Sequence, residues 1–293
     1  MNANFVRHKE NDMTKNVNMS TITWLKVGGH ALTFTPHNVE SLSCFLRENK
    51  RPYLVMGAGS NILVRDQGVN ELVIRMHRCC HTFHVSDTLV DVGASLLDRY
   101  VAERCQVLGL SGLEFLYTIP GAIGGGLAMN AGCYGADFSD RLVCVWMMDE
   151  KGDIHKLLPD HLQYAYRSCV LPPGWIFIKA RFSLAQSNPN SVALTMQSFF
   201  EKRVRDQPSG VITGGSTFTN PPREKAWQLI DSVGYRGREK GRACLDTKHC
   251  NFLINKGGCT ASDLEDLAEE ARQAVYQKRG VLLNWEIVRW GKK

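Results

Sequence analysis

The chain has 293 residues, of which 44% are hydrophobic and 22% are charged, and its formal net charge is +6. This hydrophobic content is enough to bury a core, so it excludes an intrinsically disordered chain, and the length predicts two or three compact units. No run of 18 apolar residues occurs in the sequence, which argues against a membrane-spanning helix. Residues 201–293 carry 17 Lys and Arg against 12 Asp and Glu, a surplus of +5. That surplus predicts either an anionic ligand or a solvated basic face.

The first 21 residues mix charged and amide side chains and contain no apolar stretch. We therefore predict a flexible N-terminal arm over residues 1–21 rather than a secretion signal. The ten cysteines include no Cys-x-x-Cys pair, and Cys79 and Cys80 are adjacent. Without an export signal, this pattern predicts reduced thiols in a cytoplasmic protein and no bound metal.

Residues 22–80 form the first predicted unit. Asn38 is placed to cap a helix that buries Leu42 and Leu46 on one face. Strands are predicted at residues 53–56, 62–64 and 72–74.

The second predicted unit spans residues 81–187. Ser95 is expected to cap a helix that runs to Gly109. Residues 109–135 contain eight glycines, a density that predicts loops, turns or close approach to a ligand, and excludes a packed helix or strand interior. Strands are predicted to follow at residues 142–148 and 175–184.

Residues 188–293 form the third predicted unit. It begins with a helix over residues 191–205 and contains a second helix that ends at Gly280. Ser262 is expected to cap this second helix, with Glu265 completing a capping box. A last strand is predicted over residues 281–290. Strands accompanied by helices in each unit predict an α+β fold.

Two glycine-rich segments are the first sign of chemistry. Residues 57–61, Gly-Ala-Gly-Ser-Asn, lack the third glycine of the dinucleotide fingerprint, and a strand rather than a helix follows, which argues against a Rossmann domain. Such a turn can still present backbone N–H groups to an anion, although an ordinary turn between strands explains the pentapeptide alone. The second segment, residues 119–132, favours anion binding over an ordinary turn, because two such loops suit one extended diphosphate.

Seven segments, in this order, resemble the flavin-dependent UDP-N-acetylenolpyruvoylglucosamine reductases (MurB). They are residues 23–29, 57–66, 109–135, 166–168, 215–221, 248–252 and 285–287. Each motif is weak alone, but together they cover nearly everything after residue 20. The short spacing from Ser216 to Glu286 resembles the shorter subtype (type II) of the family. Thr219 stands where the family has lysine, which puts one phosphate or nucleotide contact in doubt.

The resemblance implies a particular architecture and reaction. FAD would bind without a covalent link across two subdomains of the vanillyl-alcohol-oxidase-like (PCMH) type, residues 22–80 and 81–187. A C-terminal α+β substrate domain, residues 188–293, would close over the nucleotide sugar. NADPH would supply the hydride that converts UDP-N-acetylglucosamine enolpyruvate to UDP-N-acetylmuramate in peptidoglycan precursor synthesis. The resemblance further implies a cytoplasmic monomer with no nucleic-acid or membrane partner.

The resemblance also implies which residues make contacts. The FAD contacts fall in the two glycine-rich segments: Gly57, Ala58, Gly59, Ser60, Asn61, Ile62, Pro120, Gly121, Ile123, Gly124, Gly125, Asn130 and Gly132. The substrate contacts are Tyr134, Tyr166, Asn220, Lys248 and Asn251.

Three residues match the catalytic positions of the family. Arg167 would stabilise the negative charge that develops on the substrate, Ser216 would donate a proton to the substrate carbanion, and Glu286 would be the third catalytic residue. Each side chain also has an ordinary explanation from the sequence alone: a surface arginine, a turn serine and a solvated glutamate on an edge strand.

Two other functions remain open at this stage. A related flavin oxidase or dehydrogenase would share the glycine-rich segments but would not need the three catalytic residues. A protein that only binds a nucleotide sugar or a nucleic acid would use the basic last third.

Overall fold

The computed structural model describes residues 14–293, which form two compact units. Unit 1 contains Thr33–Ala58 and Glu71–Lys202, and unit 2 contains Asn16–Leu32, Gly59–Asn70 and Arg203–Lys293. Each unit is therefore assembled from separate chain segments. The boundaries predicted after residues 80 and 187 both fall inside unit 1, and the chain enters unit 2 for the last time at residue 203.

Part of the predicted N-terminal arm has regular structure. Residues Lys15–Asn18 form a strand, Met19–Thr21 form a 3₁₀ helix, and Met19 is completely buried. The prediction of a flexible arm is therefore wrong for these residues, because one buried methionine anchors them. The remainder of the predicted arm, residues 1–13, lies outside the described residues.

Helices and strands are mixed along the chain, which confirms the predicted α+β class. The α-helices are α1 (Val39–Glu48), α2 (Asp98–Val107), α3 (Ile123–Met129), α4 (Pro189–Asp206), α5 (Ala226–Ser232) and α6 (Ala261–Arg279). Further 3₁₀ helices are Met76–Arg78, Glu114–Thr118, Phe138–Arg141 and Pro159–Leu162. The strands are β1 (Lys15–Asn18), β2 (His30–Phe34), β3 (Tyr53–Met56), β4 (Ile62–Val64), β5 (Val69–Arg75), β6 (Phe83–Ser86), β7 (Leu89–Gly93), β8 (Leu110–Ser111), β9 (Gly132–Cys133), β10 (Ala136–Asp137), β11 (Leu142–Met148), β12 (Ile154–Leu157), β13 (Ile176–Ser183), β14 (Ala185–Gln186), β15 (Ile212–Ser216), β16 (Glu239–Lys240), β17 (Ala243–Leu245), β18 (Phe252–Asn255) and β19 (Val288–Trp290).

Unit 1 is built on a five-stranded antiparallel sheet in the order β12-β11-β13-β7-β6. The ring of Phe138 packs between those of Phe115 and Phe182, with centroids 5.9 and 6.1 Å away, and all three rings are buried. In the same unit β3 pairs in parallel with β5. The predicted helix at Asn38 is confirmed as α1, since the Asn38 side chain accepts from the Ser41 N–H at 2.8 Å.

Unit 2 contains a four-stranded antiparallel sheet in the order β15-β18-β17-β16, and β19 pairs in parallel with β4. Helix α6 packs on this sheet through the apolar face that its sequence predicts. The buried residues of that face are Leu264, Leu267, Ala268, Ala271 and Val275. They share one core with Leu25, Val27 and Leu63 from the earlier segments of the unit.

Both predicted serine caps are wrong. Helix α2 begins at Asp98 after Leu97, and the buried Ser95 hydroxyl donates instead to the carbonyl of Met76. Helix α6 begins after Thr260, whose side chain accepts from the N–H of Asp263 at 3.0 Å. In each case the helix begins after a different residue, because the serine hydroxyl bonds to a distant group: Ser95 to the Met76 carbonyl and Ser262 to the Asp66 carboxylate.

The glycine-rich segment contains a helix that the sequence analysis excluded. Helix α3 includes Gly124, Gly125 and Gly126. Two of these glycines permit close packing: a Cβ at Gly126 would lie 2.3 Å from the Phe138 ring, and one at Gly124 would lie 3.1 Å from the Cβ of Ala94. These glycines are therefore required by side-chain neighbours rather than by a turn.

Asp98 is completely buried, and neither of its carboxylate oxygens has a hydrogen-bond partner among the described residues. Burial raises the pKa of this carboxyl well above its ordinary value of 3.8, because a charge is costly without water. Its backbone N–H donates to the carbonyl of Gly121 at 3.2 Å, so this acid lies beside the second glycine-rich segment.

The variant Asp98→Asn should be more stable than the parent, by a margin that grows with pH. Because the folded-state pKa is raised, the stability contributed by Asp98 is fully present below pH 3.8 and is lost as the pH rises toward the folded pKa. Between pH 3.8 and the folded-state pKa, the difference in free energy of unfolding should increase by up to about 1.4 kcal/mol per pH unit. Urea denaturation of the FAD-free proteins at pH 5, 6 and 7 measures it, and a difference that is constant with pH would refute the neutral buried acid.

Candidate active site

The two predicted glycine-rich segments meet within unit 1. Gly57 follows β3, and a Cβ at this position would lie 3.9 Å from both the Ala122 Cβ and the Gly125 nitrogen. Gly125 itself is exposed, and a Cβ there would have no neighbour within 4 Å. Where the two segments meet, the backbone therefore carries no side chain at Gly57 or Gly125, as a cradle for an extended diphosphate requires.

Backbone hydrogen bonds fix the position of the second segment. The N–H groups of Ile123 and Gly124 donate to carbonyls of residues 94–98 at 3.0 and 2.8 Å, and the Gly121 carbonyl accepts from the same stretch. These two amides, predicted as FAD contacts, are therefore already engaged in holding the segment. Pro120 is half-buried at its start. The open surface of this segment lies at Gly125.

Residues 59–61 of the first glycine-rich segment belong to unit 2 and are tied to its C-terminal strand. Gly59 has a φ of +69° and its carbonyl accepts from the Trp24 N–H at 3.0 Å. The Asn61 side chain donates to the Glu286 carbonyl at 2.9 Å, and Ile62 begins the strand that pairs with β19. Asn61 therefore connects the predicted cofactor segment to a predicted catalytic residue. Ala58 and Ser60 are half-buried.

Arg167 lies at the tip of a turn in unit 1 and has a left-handed backbone, with φ +53°. Its guanidinium donates to the carbonyls of Gly132 and Asn130 and lies 5.0 Å from the centre of the exposed Tyr166 ring. Asn130 is also left-handed, is buried, and donates from its side chain to the carbonyl of Ala165 at 3.0 Å. Strained residues of this kind persist where the surroundings hold them, often at functional sites. Asn130 and Gly132, predicted as FAD contacts, are placed to position Arg167.

Tyr134 occupies the turn between β9 and β10 and also has a positive φ of +57°. Its ring stacks on Phe199 of α4, with centroids 4.8 Å apart. The ring is therefore fixed by packing.

Ser216 and Glu286 are brought together in unit 2 through Thr217. The N–H of Thr217 donates to the Asn251 carbonyl at 2.7 Å, and its carbonyl accepts from the Glu286 N–H at 2.8 Å. Ser216 ends β15 opposite Phe252 and is half-buried. The two predicted catalytic residues therefore lie on adjacent backbone segments.

Glu286 does not lie in the middle of a strand. The predicted strand over residues 281–290 is reduced to Val288–Trp290, and Glu286 precedes it in an irregular stretch. The reason is that residues 284–287 bond to Thr217 and Thr219 rather than to a continuous partner strand.

Three of the predicted substrate contacts have their polar groups bound by the protein. Asn251 is only 3% exposed. Its side chain accepts a hydrogen bond from the Phe218 N–H at 3.0 Å and donates one to the Phe218 carbonyl at 2.8 Å. The Lys248 ammonium donates to the carbonyls of Val204, in the last turn of α4, and Gln207, just after it, where a cation is favoured. Asn220 accepts from the backbone N–H at the start of α5. These side chains shape the region around Ser216.

The sequence analysis missed a set of ion pairs on helix α6. The Arg65 guanidinium binds both carboxylate oxygens of Glu265, at 2.7 and 2.8 Å, and Glu265 is almost completely buried. Its hydrogen bond with Arg65 holds the pKa of Glu265 below the ordinary range. The four-residue spacing of Glu265 and Glu269 on α6 places both carboxylates on one helix face. This spacing was the feature of the sequence from which these ion pairs could have been predicted.

The comparisons with known proteins bear directly on this geometry. A family model described as "UDP-N-acetylenolpyruvoylglucosamine reductase, C-terminal domain" matches residues 207–290, and one described as "FAD binding domain" matches residues 31–158. The UDP-N-acetylenolpyruvoylglucosamine reductase of Rickettsia massiliae (strain Mtu5) is 42% identical to this chain, over 95% of each protein. That of Paramagnetospirillum magneticum (strain ATCC 700264 / AMB-1) is also 42% identical, over 93% of this chain and 90% of its own length. The chain belongs to the UDP-N-acetylenolpyruvoylglucosamine reductase family.

A solved member of the reductase family shares the fold. The UDP-N-acetylenolpyruvylglucosamine reductase (MurB) of Thermus caldophilus superposes with a TM-score of 0.85 at 32% identity, covering 96% of this chain and 100% of that one. Together with the FAD-binding match, which spans both glycine-rich segments, this confirms the predicted fold and FAD as the cofactor. Among the described helices, none is long and apolar enough to cross a membrane.

The variant Gly125→Ala should stabilise the FAD-free protein and weaken FAD binding. A glycine inside a helix costs roughly 0.5–1 kcal/mol relative to alanine, and here the new Cβ meets no neighbour. The same Cβ would occupy the bare surface that we predict for the cofactor. Urea denaturation of the FAD-free protein measures the first effect, and titration of FAD by quenching of its fluorescence measures the second.

Gly126→Ala is the matched control on the neighbouring position of α3. Its Cβ would lie 2.3 Å from the Phe138 ring, so it should destabilise the fold by about 1–3 kcal/mol through overpacking. An unchanged FAD affinity in Gly125→Ala would remove this surface from the cofactor site.

Proposed function

We propose that this chain reduces UDP-N-acetylglucosamine enolpyruvate to UDP-N-acetylmuramate, with FAD as cofactor and NADPH as hydride donor. The family supplies the reaction, and one observation in the structure carries the assignment to residues: Thr217 joins the segments of Ser216 and Glu286 by backbone hydrogen bonds. A hydroxyl and a carboxylate on adjacent segments suit the delivery of one proton to a substrate carbon. The reaction belongs to peptidoglycan precursor synthesis, and we place the enzyme in the cytoplasm as a monomer.

Bound FAD would accept a hydride from NADPH and return it to the enolpyruvyl double bond. Hydride addition leaves negative charge on the carbon next to the substrate carboxylate, so this carbon must receive a proton. We assign that proton to the half-buried Ser216 hydroxyl, whose backbone is fixed by its pairing with Phe252. Glu286 completes the proton-handling pair from the adjacent segment.

Arg167 is assigned to the developing negative charge. Guanidinium stays protonated at every physiological pH, and a fixed cation lowers the barrier to a reaction that builds an anion. The carbonyls of Asn130 and Gly132 hold this guanidinium in one orientation. Its role therefore differs from that of a freely moving surface arginine.

The rival functions have less support. A flavin oxidase acting on another substrate has no use for the proton-handling pair Ser216 and Glu286. A nucleic-acid-binding protein would need a continuous basic surface, whereas basic side chains of the last third pair with acidic neighbours. These pairs are Arg236–Asp231, Lys240–Glu270, Lys256–Glu239 and Arg279–Glu224.

An anaerobic two-step experiment tests the proposed function. The FAD-loaded protein is first bleached with one equivalent of NADPH and then mixed with the enolpyruvyl UDP-sugar. Recovery of the oxidised flavin absorbance with that substrate, and not with UDP-N-acetylglucosamine, is expected. A reduced flavin that the enolpyruvyl substrate fails to reoxidise would contradict the assignment.

The variant Ser216→Ala separates the two halves of this cycle. Reduction of the flavin by NADPH needs no proton at the substrate carbon, so its rate and the FAD content should stay near those of the parent. Reoxidation by the enolpyruvyl substrate should slow by at least about a hundredfold, the usual contribution of a positioned proton donor. Stopped-flow absorbance resolves both steps.

The variant Ser216→Cys retains a donor and should recover part of the loss. Equal slowing of both steps in Ser216→Ala would make Ser216 a structural or shared binding residue. No slowing of either step would mean that water or Glu286 delivers the proton.

A further inference from the structure

The indole of Trp285, immediately before Glu286 in the chain, is held from several directions. Its N–H donates to the Glu269 carboxylate at 2.6 Å, which is short for this kind of bond. The Arg289 guanidinium lies 4.3 Å from the centre of the ring, and the Phe218 ring lies 5.1 Å away at 60°. The side chain next to a predicted catalytic residue therefore has one defined orientation.

Trp285 also connects the two segments that carry the proton-handling pair. Phe218, two residues after Ser216, is buried, and its backbone forms a β-bridge with Trp285. The ring contact and the bridge act between the same two residues. A rotation of the indole would therefore remove the ring contact between the segment of Ser216 and that of Glu286.

Glu269 is itself fixed on helix α6. Its second carboxylate oxygen accepts from Arg272 at 3.0 Å, and Arg272 also donates to the carbonyl of Leu283 at 2.7 Å. Arg289 donates to Glu269 at 3.3 Å and to the buried Glu265 at 2.9 Å. The carboxylate that receives the indole N–H is thus held in place by two arginines and does not depend on a mobile surface side chain.

We propose that Glu269 is a positioning residue for Ser216 and Glu286, acting through the indole of Trp285. A hydrogen bond to a charged acceptor is about twice as strong as a neutral one, so loss of this carboxylate frees the indole to rotate. Misplacement of reacting groups by about 1 Å can cost a hundredfold in rate. The proposal rests on the proposed function, because it assigns Glu269 to the step in which the substrate is protonated.

Three variants test the path from the carboxylate to the reacting groups. Glu269→Ala removes the acceptor, Trp285→Phe removes the N–H but keeps a ring against Phe218, and Glu269→Gln keeps an oxygen that can accept the N–H. Glu270→Gln is the matched control, because the neighbouring Glu270 pairs with Lys240 on the exposed side of the same helix. Each FAD-loaded variant is measured for flavin reduction by NADPH and reoxidation by saturating enolpyruvyl substrate, with melting temperature and FAD content alongside.

Glu269→Ala and Trp285→Phe should slow reoxidation by about tenfold or more at saturating substrate, because the reacting groups are misplaced. Flavin reduction, FAD content and the KM for the enolpyruvyl substrate should stay close to the parent values. Glu269→Gln should recover part of the rate, and Glu270→Gln should match the parent in both steps.

Equal slowing of both steps, or unchanged reoxidation in Trp285→Phe, would overturn the positioning role. If Glu269→Ala fails to fold, Trp285→Phe and Glu269→Gln decide the matter, since Glu269→Gln keeps the size of the side chain and Trp285→Phe keeps a ring against Phe218. If the enolpyruvyl substrate does not reoxidise the parent enzyme, both the proposed function and this proposal are wrong. If the parent is active and the Glu269 and Trp285 variants match it in both steps, only this proposal is wrong.

Discussion

The arrangement of the candidate site in unit 2 depends on one backbone constraint: the segment after β15 is hydrogen-bonded on both sides. The backbone of Thr217 forms hydrogen bonds with that of Asn251 on one side and with that of Glu286 on the other. The side chain of Asn251 also accepts from the Phe218 N–H and donates to the Phe218 carbonyl. A buried backbone must satisfy its polar groups in this way. This pairing brings Ser216 and Glu286, which are 70 residues apart in sequence, onto adjacent backbone segments.

A similar principle holds in unit 1, where hydrogen bonds within the protein hold two predicted parts of the site. Asn130 ties the turn of Arg167 to the end of α3, and the engaged amides of Ile123 and Gly124 fix the glycine-rich segment. The bare backbone at Gly125 is the surface that we expect the cofactor to approach. Close packing against Phe138 and Ala94 explains two of the glycines in this stretch, Gly126 and Gly124.

The sequence predicted what local patterns determine. The cap at Asn38 and the apolar face of α6 follow from periodicity and are confirmed, and the order of the motifs identified the family. Prediction from the sequence failed where tertiary contacts compete with local sequence preferences. Ser95 bonds to a distant carbonyl instead of capping α2, and the glycines of α3 are chosen for close packing rather than for turns. The hydrogen bonds of Asn251 could not be foreseen either, because its partner Phe218 lies 33 residues away.

The central claim is that Ser216 and Glu286 act together on one proton-transfer step. A double-mutant cycle of Ser216→Ala and Glu286→Gln, read as the rate of flavin reoxidation by the enolpyruvyl substrate, tests it most directly. Residues that act as a unit are strongly non-additive, so the double variant should be about as slow as the slower single variant. If the two rate losses multiply in the double variant, the residues act independently and the claim is wrong.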